Sequence, residues 1–232
     1  MFTTLTDCPD AAAPSLVLLC KRPAPGHAKQ RLATTLGKQN AFDLALAMLD
    51  CALEDLREWR GPRIIAPDRP EHLPWARSLM PEAKCQAQTE GNLGQRLNAL
   101  DHQLRRRGLH QLMFIGSDCP ALTLADYRNV WALLQNHDSV LLDARDGGVV
   151  LMASNQPWPD LAALPWSTDR LGAALAELCR QAGQRVAVAG ESFDIDHAAD
   201  LSLLTQALAG DDRPARRCLN ALLQRTEIRS HV

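Results

Sequence analysis

The segment CKRPAPGHAKQRL, residues 20–32, places four cations, Lys21, Arg22, Lys29 and Arg31, directly after the apolar run at residues 16–19. A buried strand running into a loop with this charge predicts an anionic ligand. Gly26 lets the backbone come close to such a ligand. Lys29 and Arg31 lie two apart, so in an extended segment they project to the same side. A lysine as a point charge and an arginine as a fork could together grip one diphosphate. A second apolar run, QLMFI at 111–115, leads into Gly116-Ser117-Asp118-Cys119-Pro120. In open α/β sheets, ligands lie beyond the carboxyl ends of the strands. The cations and Asp118 then face one crevice, and phosphates with a divalent cation held by Asp118 reconcile their charges.

Each of these features also has a plain structural reading. The Lys-x-Arg pair suits a solvated surface, and Asp118 suits a turn or a helix cap. Asp146-Gly147-Gly148 is a hairpin turn by composition. Pro165-Trp166-Ser167-Thr168 predicts a helix start, with Ser167 or Thr168 as cap and Asp169 in the first turn. Gly91-Asn92-Leu93-Gly94 reads equally as a loop leading into a helix. Arg105-Arg106-Arg107 suits a helix end facing its dipole, closed by Gly108. Other chemistries lack their patterns. The chain contains no G-x-x-x-x-G-K-[ST], no G-x-G-x-x-G, no H-x-x-x-H and no G-x-S-x-G.

The elements that would position these residues alternate along the chain. Strands are expected at 15–20, 63–66, 83–86, 111–115, 139–142, 149–153 and 185–189. Helices are expected at 41–59, 93–107, 124–135, 169–182, 197–209 and 214–226. The pair flanking Asp146-Gly147-Gly148 predicts a hairpin. The pattern implies a three-layer α/β/α (Rossmann-like) fold with a mixed, mostly parallel sheet. With 232 residues, 46% of them hydrophobic, a single domain over 15–232 with an N-terminal tail at 1–14 is expected. The 25 basic and 27 acidic residues nearly balance, which argues against nucleic acid or membrane as a partner. The N-terminus lacks the cationic start and apolar core of a secretory signal, and no apolar run is long enough to span a membrane. Seven scattered cysteines without a C-x-x-C pair predict reduced thiols in a cytoplasmic protein.

Read in order, residues 23–32, Gly91–Leu97, Gly116–Thr123, Asp146–Gly148, Trp166–Thr168 and Asp194–Asp196 resemble one family. It is the DUF2064 family, radical-SAM/selenodomain-associated transferase 1, within the nucleotide-diphospho-sugar transferase superfamily of GT-A fold. The resemblance spans about residues 15–205. It implies that Lys21 to Arg31, with Lys29 and Arg31 foremost, wrap the nucleotide phosphates, and that Asp118 and Asp196 bind Mg²⁺ or Mn²⁺. It also implies that Gly94 and Arg96 border the nucleotide and that Asp146 lies at the acceptor side as the candidate base. Gln30 stands where threonine is common, Asn92 where aspartate is common, and Val149 where an aromatic is common.

Three functions follow from the resemblance. The first is a metal-dependent transferase moving the glycosyl group of a nucleotide sugar to an acceptor of unspecified identity. The second is a nucleotidyltransferase releasing pyrophosphate, and the third is a nucleotide-binding module without catalysis. A homodimer is compatible with any of them.

Overall fold

The computed structural model describes residues 12–26 and 29–230, with side chains to residue 225; the first 11 residues of the expected tail lie outside this range. Among the described residues, seven strands form one sheet: β1 (Ser15–Cys20), β2 (Arg63–Pro67), β3 (Lys84–Cys85), β4 (Leu112–Gly116), β5 (Ser139–Ala144), β6 (Val149–Ser154) and β7 (Val186–Ser192). Their order is β3-β2-β1-β4-β6-β5-β7. Only β6 runs antiparallel to its neighbours, because the short Arg145–Gly148 turn returns it beside β5. From β1 the chain builds outward through β2 and β3, then returns to lay β4 on the other side of β1. This reversal opens a crevice beyond the carboxyl ends of β1 and β4.

Among the described residues, eight α-helices accompany the sheet: α1 (Gln30–Leu36), α2 (Lys38–Glu58), α3 (Leu73–Leu79), α4 (Leu93–Arg106), α5 (Leu124–Leu134), α6 (Leu171–Gln181), α7 (Asp200–Ala207) and α8 (Pro214–Ser230). Strand side chains alternate between the two faces of the sheet. Leu16, Leu18, Met113 and Ile115 meet Leu49, Leu53 and Leu56 of α2 and Tyr127, Val130 and Leu134 of α5. Val17, Phe114 and Leu141 meet Leu97, Leu100 and Leu104 of α4 and Leu175 and Cys179 of α6. A third cluster joins Leu32 of α1, Leu44 and Met48 of α2, Leu204 of α7 and Leu219 and Leu223 of α8. No helix among the described residues is long and apolar enough to cross a membrane.

Several boundaries differ from the sequence expectation. The α2 helix starts at Lys38, three residues early, and α6 starts at Leu171 rather than 169. Neither Ser167 nor Thr168 caps α6. Thr168 Oγ1 instead donates to Pro165 O at 2.7 Å, and Ser167 takes a left-handed φ of 62°. The helices α1 and α3 lie where the sequence predicts neither helix nor strand. Each is seven residues long with one buried side chain, too little to display a helical period. Arg105 does more than face a helix dipole: its guanidinium pairs with Asp101 and collects the carbonyls of His110, Ser154, Asn155 and Gln156.

Gly94 illustrates a tight backbone approach. A Cβ there would lie 2.1 Å from Leu161 O and 2.8 Å from Trp166 Nε1. Gly94→Ala is therefore expected to destabilise the protein by about 2 kcal/mol, the scale of overpacking in a filled core. Chemical denaturation reads this directly, and an unchanged midpoint would show that the 161–166 segment yields without cost.

Candidate active site on the crevice rim

Lys29 and Asp118 share the rim of the crevice. Lys29 Nζ donates to Asp118 Oδ2 at 3.1 Å and to Asp196 Oδ1 at 3.0 Å, and Arg31 Nη1 donates to Asp196 Oδ2 at 3.0 Å. The expected extended geometry does not hold. Lys29 precedes α1 with φ 42° and ψ 60°, and Arg31 lies in the first turn of that helix. A left-handed, non-glycine residue is strained. Its two carboxylate partners help hold it there, and both cations still converge on Asp196.

The acidic side of the site comes from two segments. Asp118 follows β4, and residues 194–196 follow β7; Ile195 N donates to Asp118 O at 3.0 Å and ties them together. Ile195 is buried, so in a locally extended chain Asp194 and Asp196 turn to the opposite side from it. Oxygens of Asp118, Asp194 and Asp196 lie within 4.8 Å of one another. Asp194 was not among the sequence candidates, although the alternation in Asp194-Ile195-Asp196 was the signal for it.

The ionisation pattern follows from this crowding. Burial, then the charges of Asp118, Asp146 and Asp196, push the Asp194 carboxyl up to about 6. Burial also opposes ionisation of Asp196, but the charge and hydrogen bond of Lys29, with help from Arg31, outweigh it and hold that carboxyl below its usual range. For Lys29, burial alone would lower the ammonium; the charges and hydrogen bonds of Asp118 and Asp196 reverse this and raise it. One ammonium thus neutralises part of a cluster that carries excess negative charge. Three convergent carboxylates are hard oxygen donors of the kind that suit Mg²⁺ or Mn²⁺, and the donor set fits such an ion.

The remaining candidates occupy distinct positions. Asp146 Oδ1 accepts from Gly148 N at 2.9 Å, so it shapes the β5–β6 turn as well as bordering the acidic cluster. Gly147 is required by packing, since a Cβ there would lie 1.9 Å from Asp169 O. Arg96, in the first turn of α4, bonds Gln88 Oε1, while Gln88 Nε2 donates to Ala66 O at 2.7 Å beyond the β2 side of the crevice. Arg96 Nε is buried without a hydrogen-bond partner among the described residues. Gly94 is buried beneath Leu161 and Trp166, which accounts for the glycine by packing rather than by contact with a ligand. Lys21 and Arg22 are exposed and form no ion pair with any described residue. Gly26 adopts φ 76°, a turn conformation that glycine accepts without strain.

Asn92 has a structural account too. It forms a capping box with Gln95, and its Nδ2 donates to Ala162 O at 2.9 Å, a bond that an aspartate could not make.

The whole chain can be set beside solved structures. It is similar to a protein from Desulfovibrio desulfuricans G20, provisionally named a nucleotide-diphospho-sugar transferase, at 21% identity and TM-score 0.84, covering 95% of this chain and 98% of that one. It is also similar to 4-diphosphocytidyl-2C-methyl-D-erythritol synthase from Anaerococcus prevotii DSM 20548, at 10% identity and TM-score 0.50, covering 92% of this chain and 99% of that one. These likenesses establish the GT-A-like α/β fold. No curated protein matches the sequence at a significant level. Residues 52–168, half of the sequence, match the family model described as an uncharacterized protein conserved in bacteria (DUF2064). That stretch includes Gly91–Leu97, Asp118 and the Asp146–Gly148 turn, and with these in place the chain belongs to the DUF2064 family.

Proposed function

We propose that the protein is a transferase that binds a nucleotide sugar through its diphosphate and passes the glycosyl group to an acceptor. One observation carries this reading: Lys29 and Arg31 converge with Asp118, Asp194 and Asp196 at the crevice rim. Asp118, Asp194 and Asp196 would hold Mg²⁺ or Mn²⁺, which when bound shares positive charge with phosphate oxygens. Lys29 and Arg31 neutralise the charge that gathers on the leaving diphosphate as the glycosidic C–O bond breaks. Asp146 stands at the acceptor side and is the candidate to receive the acceptor's proton. Arg96, with its free buried Nε, borders the nucleotide near β2. The name and overall likeness of the Desulfovibrio protein support sugar transfer.

A second reading is favoured by the fold shared with the cytidylyl-type synthase. In that reading the acceptor would attack the α-phosphorus of a nucleoside triphosphate, and pyrophosphate would leave. The same cations and carboxylates would serve either reaction. A thermal-shift panel of nucleoside triphosphates and nucleoside diphosphate sugars, with and without Mn²⁺, tests both. At a hundredfold excess over Kd, a true ligand stabilises by about 2.7 kcal/mol. Stabilisation by sugar nucleotides only with the metal is the expected result, whereas stabilisation confined to triphosphates would replace sugar transfer by nucleotidyl transfer. No shift with any ligand would leave the chain a transferase in fold alone. We place the protein in the cytoplasm.

A further inference from the structure

The α8 helix lies outside the stretch matched by the family model, yet Arg216 within it and Arg213 just before it reach the loop that carries Asp118. Arg216 is 0% exposed. Its Nη1 meets Glu54 Oε2 at 3.0 Å, its Nη2 meets Asp55 Oδ2 at 2.7 Å, and its Nε donates to Pro120 O at 3.2 Å. Arg213, just before α8, sends Nη1 to Asp55 Oδ1 and Nη2 to Leu122 O, both at 2.9 Å. Glu54 Oε1 accepts from Ala215 N at 2.8 Å, and Tyr127 OH donates to Asp55 Oδ2 at 2.9 Å.

Burying guanidinium groups is costly unless every charge is paired. Here Glu54, Asp55 and Asp211 supply the partners. The gain is local order. After β4 the chain leaves the sheet, so the carbonyls of Pro120 and Leu122 have no ladder partner, and buried carbonyls require one. The arginines supply it. The loop is also held on its other side, where Asp118 O accepts from Ile195 N.

We propose that Arg213 and Arg216 are positioning residues for the acidic site, and that α8 sets the placement of Asp118 against Asp194 and Asp196 from behind. The consequence for metal binding rests on the function proposed above; the hold on the loop does not.

Two amides report that hold: Leu122 N, bonded to Cys119 O, and Ile195 N, bonded to Asp118 O. Hydrogen exchange is measured in the parent, Arg213→Met, Arg216→Lys and Tyr127→Phe. The last variant weakens the same buried network without touching the loop carbonyls. Both arginine variants are expected to exchange about tenfold faster at Leu122 and Ile195 and to bind Mn²⁺ about tenfold more weakly, the scale seen when partners behind a metal ligand are lost. Tyr127→Phe should lower Tm while leaving both readouts unchanged. Arg213→Lys should recover part of the loss. Exchange in the arginine variants no faster than in Tyr127→Phe at equal loss of Tm would overturn the proposal. A parent that binds no Mn²⁺ would sink the metal reading, while exchange still decides whether α8 holds the loop.

Discussion

Asp118→Asn weakens metal-dependent nucleotide binding by roughly 30- to 150-fold, the equivalent of about 2–3 kcal/mol for one lost charge-assisted contact. The asparagine keeps the shape and can still accept from Lys29, but it removes the formal charge that a hard cation requires. The fold should not suffer. The Asp118 charge is, after burial, the first of those that raise the Asp194 carboxyl, so its removal relieves repulsion within the triad. Tm of the metal-free variant is therefore expected to equal or exceed that of the parent, as when a site is arranged for function against stability. Nucleotide titration by calorimetry with and without Mn²⁺, beside a melting curve, provides the check. Equal metal-dependent affinity in variant and parent would reduce Asp118 to a turn residue.

Lys29→Ala is expected to move two affinities in opposite directions. Nucleotide binding weakens by about 1.5–3 kcal/mol, because a cation aimed at the phosphates is gone. Mn²⁺ binding without nucleotide strengthens several-fold, because no ammonium now occupies Asp118 and Asp196. Arg31→Ala lowers nucleotide affinity on the same scale. Lys21→Ala and Arg22→Ala cost less than either, since both side chains are exposed and unpaired among the described residues. Lys29→Gly separates charge from backbone. It should match alanine in both affinities yet melt about 2–4 °C higher, since glycine accepts φ 42° without the roughly 1 kcal/mol cost borne by other residues. A Mn²⁺ affinity that falls in Lys29→Ala would mean that the ammonium supports the metal site rather than competing for it. Equal nucleotide losses at all four cations would mean a diffuse electrostatic patch.

The strands and most helices were legible because burial on both sides writes continuous apolar runs, and burial on one side writes a helical period. The runs at 15–20 and 111–115 became β1 and β4, and the Asp-Gly-Gly turn joined the expected hairpin. The helices α1 and α3 were invisible for the opposite reason: one buried residue in seven leaves no period to detect. The backbone of Lys29 depends on α1, which it precedes. Its left-handed backbone leaves no mark in a sequence, because lysine has no preference for it.

What the sequence determined by itself was the inventory and its rough address. It placed Lys29, Arg31 and Asp118 in loops at the carboxyl ends of apolar strands, and the rule for open α/β sheets put those loops over one crevice. The motif order carried the family. Tertiary structure decided which charges meet. Lys29 and Asp196 are 167 residues apart, and local periodicity does not encode a contact at that separation. The same holds for Asp194, whose charged neighbours Asp118 and Asp146 come from two other loops, and for Arg216, which is buried only where α8 docks on α2. Charges far apart in the chain interact strongly only where the fold removes water from between them, and that exclusion belongs to the packed molecule.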